Sequence, residues 1–114
     1  MGSSILDTIK KLLGIASSDT SFDTDIIVFI NSAIASLRQI GVGPVEGYSI
    51  KSKADMWSAY LTNSPELLES VKTYIYLKVK LAFDPPSSTA VSEAFKQMAS
   101  EYEWRLNVTA ETNL

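Results

Sequence analysis

The chain contains no cysteine and no histidine. Without cysteine there is no disulfide, no zinc–thiolate centre and no thiol nucleophile. Without histidine the commonest general base and the commonest metal ligand are missing, and no Ser–His–Asp set can be assembled. Arginine occurs only at Arg38 and Arg105, and 10 Lys and Arg face 13 Asp and Glu, giving net charge −3 and a pI near 4.8. A protein that grips DNA by its phosphates needs the opposite balance. No apolar run approaches the roughly 18 residues of a membrane span. Lys10, Lys11 and Gly14 interrupt the N-terminal apolar segment before a secretory signal can form. Leu6 stands where a myristoylation signal wants Ser or Thr. A soluble intracellular or virion protein is the expectation.

Hydrophobic residues make up 46% of the 114 residues, enough for a core, so a single folded domain over residues 1–114 is expected. Its organising stretch runs from Ser64 to Pro86. Ser64 is a suitable N-cap, Pro65 fits the first helical position, and Asp84 before Pro85 marks the stop. The spacing predicts one long helix with Leu67, Leu68, Val71, Tyr74, Ile75, Val79, Leu81 and Ala82 on a broad apolar stripe. Lys78 falls inside that stripe and is the candidate buried charge, with Glu101 a candidate partner. Tyr76, Leu77 and Phe83 fall outside it, which makes them candidates for a surface covered by another protein.

Ahead of this stretch, Ser4 caps a predicted helix over 5–13 that ends at Gly14. Its apolar face carries Ile5, Leu6, Ile9, Leu12 and Leu13, with Asp7, Lys10 and Lys11 opposite. Asp23, flanked by Phe22 and Ile27 as a hydrophobic staple, is read as the cap of a second helix reaching about Ile40. Asp19, Asp23 and Asp25 lack the glycine and closing Glu of a calcium loop, so capping explains them better. Gly41-Val42-Gly43-Pro44 breaks the chain and lacks the Lys and helix start of a phosphate loop. A short extended or hairpin segment follows, with Val45, Tyr48 and Ile50 as candidate interface residues. Ser52 is read as capping a short helix with Met56, Trp57, Tyr60 and Leu61 on one face.

After Pro86, a last helix is expected to end near Leu106. Val91, Ala94, Phe95, Met98, Ala99, Tyr102 and Leu106 form its inner stripe. Trp104 lies on the polar side and joins the candidate interface residues, because exposed tryptophan is enriched at binding hot spots. Residues 108–114 read as a short flexible tail. Carboxylate pairs such as Glu66/Glu69 and Glu101/Glu103 sit on helix surfaces, where capping and solvation account for them. The chain is therefore read as all-α, without a catalytic, cofactor or metal site.

Four stretches in order carry a resemblance: ILDTIKKLLG, TSFDTDIIVFINSAIASLRQIGVGP, VKTYIYLKVKLAFDPP and EAFKQMASEYEWRLN. Together, over Ile5 to Asn107, they closely resemble the small helical head–tail connector, or adaptor, proteins of tailed phages and prophages. The resemblance implies a homo-oligomeric ring on the dodecameric portal that extends the DNA channel. It implies the portal and a stopper or tail-completion protein as partners. Double-stranded DNA would pass through without specific binding, and no membrane would be involved. The place implied is the head–tail junction of the virion, with assembly in the bacterial host cytoplasm. The competing expectation is a small helical DNA-binding regulator or antitoxin-like protein, which would want a basic recognition helix. Lys51 and Lys53 are the nearest thing to a basic cluster.

Overall fold

A computed structural model describes residues 3–112. It is all-α, with five α-helices and no named strand among the described residues. Helix α1 spans Ile5–Leu13. Ser4 Oγ accepts from the Asp7 N–H at 3.2 Å, and Gly14 closes the helix in the left-handed region at φ 82°. The start of α1 is stitched to a distant loop: the Ile5 N–H donates to Asp55 O, the Trp57 N–H to Ser3 O, and the Trp57 indole to Thr8 Oγ1 at 3.0 Å.

Helix α2 spans Asp23–Gln39 and buries Ile26, Ile30, Ala33, Ile34 and Leu37. Asp23 is not its cap. Phe22 occupies that position without a side-chain bond, and the Asp23 carboxylate turns to Lys10 instead. Helix α3 is one turn, Trp57–Tyr60, led by Met56 rather than by Ser52. Ser52 belongs to a turn of its own, in which its Oγ accepts from the Ala54 N–H and Asp55 Oδ2 accepts from the N–H groups of Lys51 and Ser52.

The long central element has a jointed start. Pro65–Leu67 form a 3₁₀ turn, Ser64 makes no side-chain cap, and helix α4 proper runs Leu68–Phe83. Helix α5 spans Thr89–Thr112, which at 1.5 Å per residue is about 36 Å. That is close to the longest dimension of the molecule, 39 Å. It continues well past Leu106, so residues 108–112 are helical rather than a flexible tail. No Gly or Pro follows Leu106 to stop it, and Ala110 joins the packing around the core. Residues 113 and 114, the rest of the expected tail, lie outside the described residues, as do residues 1 and 2.

Helix α4 lies between α1 and α2 on one side and α5 on the other. This two-sided cover corrects the reading of its faces. Leu77, expected to be wet, is 2% exposed, whereas Lys78, expected to be buried, is exposed. Lys78 borders a groove with Phe29, Ser32, Ala33, Leu81 and Ala82, where the gap between α2 and α4 leaves room for its ammonium. The buried charge is Lys10, 1% exposed, from the face of α1 expected to be polar. Its Nζ donates to Asp19 O at 2.7 Å and Ser17 O at 3.2 Å, and lies 2.8 Å from Asp23 Oδ1. The last is a charge contact rather than an aligned hydrogen bond, since Asp23 Oδ1 has no hydrogen-bond partner of good geometry. The ammonium thus holds α1, the loop after it and the start of α2 at one point.

The inner stripe of α5 is only half used. Ala99 and Leu106 are buried and Phe95 and Tyr102 partly so, but Val91, Ala94 and Met98 are exposed. The helix leans on α4 along one seam, and no described residue covers its flank over the first turns.

Candidate assembly surface

The segment between α2 and α3 is irregular yet firmly held. Asn31 of α2 clamps Ile50 from both sides: its Nδ2 donates to Ile50 O at 3.0 Å, and its Oδ1 accepts from the Ile50 N–H at 2.7 Å. This replaces the strand partner that an extended residue lacks. Ile50 itself is 2% exposed and belongs to the core, so it drops out of the exposed candidates. Arg38 donates from Nε and Nη2 to Val45 O at 3.0 and 2.8 Å. Tyr48 is partly buried and stacks on Tyr60 with ring centroids 5.0 Å apart. Gly43 sits at φ 94°, and a Cβ there would come within 2.9 Å of Tyr60 Cε1. Glycine is required on both counts.

These constraints present Val45 at the tip of the loop, 88% exposed. Against the loop lies a recess of about 280 Å³ lined by residues 43–46 and 59–64. Tyr60 is on its wall. The Tyr60 hydroxyl is buried without a hydrogen-bond partner among the described residues, and burial pushes its ionisation well above the ordinary phenol range. Sequence reading placed Tyr60 in the core correctly but gave no sign of the orphaned hydroxyl, which depends on how the loop folds over the ring.

The other candidates lie elsewhere. Tyr76 is partly buried and meets Phe95 edge to face at 6.2 Å. Phe83 is partly buried with Phe22 at 5.4 Å and Phe29 at 6.4 Å, forming an aromatic trio at the end of α4. Trp104 stands 68% exposed on the outer face of α5. Leu77, like Ile50, is core. The structure thus divides the exposed or partly buried candidates among the loop tip, the aromatic trio, the seam between α4 and α5, and the outer face of α5. It adds Val28, 59% exposed on α2. Val28 was legible, since it sits about 160° round the helix from Ile30.

Between the helices, Tyr74 donates to Glu103 Oε2 at 2.8 Å. Burial, reinforced by that bond and by the Glu103 charge, raises the Tyr74 phenol well above its ordinary value. This pair ties α5 to α4 at the level of Trp104 and fixes which way the outer face points. The described helices include none long and apolar enough to cross a membrane.

A family model described as phage connector protein matches residues 5–113. No curated protein and no solved structure matches the chain. The family match runs from the first residue of α1 to just past the end of α5, and so takes in every element described above; the chain belongs to the phage connector protein family.

Proposed function

We propose that the chain is a structural head–tail connector that assembles as a homo-oligomeric ring beneath the portal, extends the DNA channel and gives a stopper or tail-completion protein its docking site. The observation that carries this reading is the family match over residues 5–113, and Val45 at 88%, Trp104 at 68% and Val28 at 59% exposure are the candidate contact points. In a chain of the phage connector family these side chains are the ones offered for contact with neighbouring subunits. In this reading the protein is not an enzyme, and its place is the virion head–tail junction, after assembly in the host cytoplasm. Double-stranded DNA passes the ring without being held. The net charge of −3 supports that part, because a wall that neutralised many phosphates would bind tightly and slow the exit of DNA.

Electron microscopy of the purified protein, alone and mixed with the portal of the same phage, tests the ring. Rings, or a collar added to the portal, are expected. A protein that stays monomeric and never decorates the portal refutes the proposal. Duplex DNA binding at low and moderate salt tests the passive channel. Submicromolar binding by the assembled ring that survives moderate salt would favour a DNA-binding regulator instead.

A further inference from the structure

Two uncovered patches of the chain match each other. The first is a groove of about 300 Å³ between α2 and α4. Phe29, Ala33, Leu81 and Ala82 make its bed apolar, and Lys78 stands at one end with Ser32. Ser32, Lys78 and Ala82 are exposed, so the groove is open to another molecule. The second patch is the flank of α5. Val91, Ala94, Met98 and Glu101 follow at steps of three, four and three residues, which puts them on one side of the helix, and all four are exposed. The groove is thus an apolar bed ending in a cation, and the flank an apolar ridge ending in a carboxylate. Among the described residues neither Lys78 nor Glu101 is in an ion pair. The groove is lined from α2 and α4 alone, and α5 packs on the other side of α4.

We propose that the groove between α2 and α4 receives the flank of α5 from a neighbouring copy of the chain, with Met98 seated in the apolar bed and Glu101 paired with Lys78. The inference rests on the ring reading above and names one contact of that ring. The spacing fits in one orientation. Leu81 and Lys78 are three residues apart on α4, and Met98 and Glu101 are three apart on α5, about 4.5 Å along each axis. With the neighbour's α5 antiparallel to α4, Met98 meets Leu81 and Glu101 meets Lys78 together. With the helices parallel, Glu101 moves toward the Phe83 end, away from the ammonium. In the antiparallel orientation Val91, two turns before Met98, comes to the start of α2, where Phe22 is 43% exposed against Phe83. Val28, one turn from Ser32 on the same face of α2, is covered by the same helix. Methionine suits such a bed because its unbranched side chain adapts to irregular apolar surfaces. The charge pair fixes the register and excludes wrong partners more than it adds affinity. Groove and ridge are different patches, so each copy gives one helix and receives one. That is a head-to-tail contact, which generates a ring when the rotation closes.

Sedimentation velocity over a concentration series, with and without the portal, tests this on the wild type and five variants. Lys78→Glu and Glu101→Lys should each weaken self-association about tenfold or more, because each sets like charges against one another. The double variant Lys78→Glu/Glu101→Lys restores opposite charges across the contact and should return to within about threefold of wild type. Met98→Ala should weaken association about tenfold, and Ala82→Trp, which fills the groove, should block it. All four positions are exposed, so the monomers should melt as the wild type does. The rescue decides, since two independent structural defects would add rather than cancel. Single charge variants that associate like wild type, or a double variant as weak as the singles, overturn the contact and leave the ring standing. Variants that self-associate normally but no longer decorate the portal assign the face to the portal and also overturn it. A wild type that forms no ring even on the portal overturns the ring reading itself.

Discussion

Replacing Lys10 by Met tests whether the buried ammonium organises the N-terminal third of the chain. Methionine keeps most of the side-chain stem, so packing is nearly preserved and the loss is the charge. The substitution strips the donor from Ser17 O and Asp19 O and leaves the Asp23 carboxylate facing an apolar neighbour. Removing one partner of a buried pair costs about 3–5 kcal/mol when the survivor is fully enclosed. Asp23 keeps 26% exposure, so water relieves part of the penalty, and a loss of about 3 kcal/mol is expected. Against a total stability on the order of 5–15 kcal/mol this is large, and at roughly 4 °C per kcal/mol it lowers Tm by about 12 °C. Urea unfolding followed by circular dichroism measures it. The loss should persist in 0.5 M salt, because enclosed charges are poorly screened. A double-mutant cycle with Asp23→Ala should return a coupling above about 1 kcal/mol. A Lys10→Met protein within about 0.5 kcal/mol of wild type, or more stable, would refute the reasoning. The ammonium would then be replaceable by packing, as some buried ion pairs are.

Three further outcomes are expected. Gly43→Ala should destabilise by about 2 kcal/mol, because φ 94° and a Cβ at 2.9 Å from the Tyr60 ring are both unfavourable; thermal unfolding reads this directly. Lys78→Met should change stability by less than about 0.5 kcal/mol, since the side chain is exposed rather than enclosed. Stability should fall as pH rises above 10, because Tyr60 and Tyr74 have folded-state values raised above the ordinary 10.0. A raised phenol contributes its full stability below the unfolded value and loses it as pH climbs toward the folded one, so the unfolded state ionises first. Tyr74→Phe should flatten that slope in denaturant melts taken from pH 8 to 11, and an unchanged slope would count against the assignment.

The parts legible in the sequence were those written in one-dimensional signals. Ser4, Gly14 and the DPP at Asp84 mark helix ends through local capping chemistry, and α2 shows its buried stripe at the helical period. What was not legible depends on having neighbours on two sides. Periodicity assigns a helix one buried direction, but α4 is covered by α5 as well as by α1 and α2, so Leu77 was misread as outward and Lys78 as inward. Lys10 was placed on a wet face because its partners are backbone carbonyls of a loop, and those leave no trace in side-chain pattern. Ile50 was taken for a surface residue because the Asn31 clamp that draws its backbone inward comes from 19 residues away. The inner stripe of α5 was read correctly as apolar, but Val91, Ala94 and Met98 have no cover among the described residues.

The clamped loop before α3 has a consequence for the entropy of assembly. Fixing one residue's backbone costs roughly 1–2 kcal/mol, so a binding loop of several residues that ordered only on contact would forfeit on the order of 10 kcal/mol at that moment. Here Asn31, Arg38 and the Tyr48–Tyr60 stack have already removed that freedom during folding. Any partner that docks here meets a tip whose shape is decided before the collision, so contact free energy at Val45 would go into holding that partner rather than into ordering the loop. The same rigidity would make a joint at this tip intolerant, since a misplaced partner would meet a surface that does not yield.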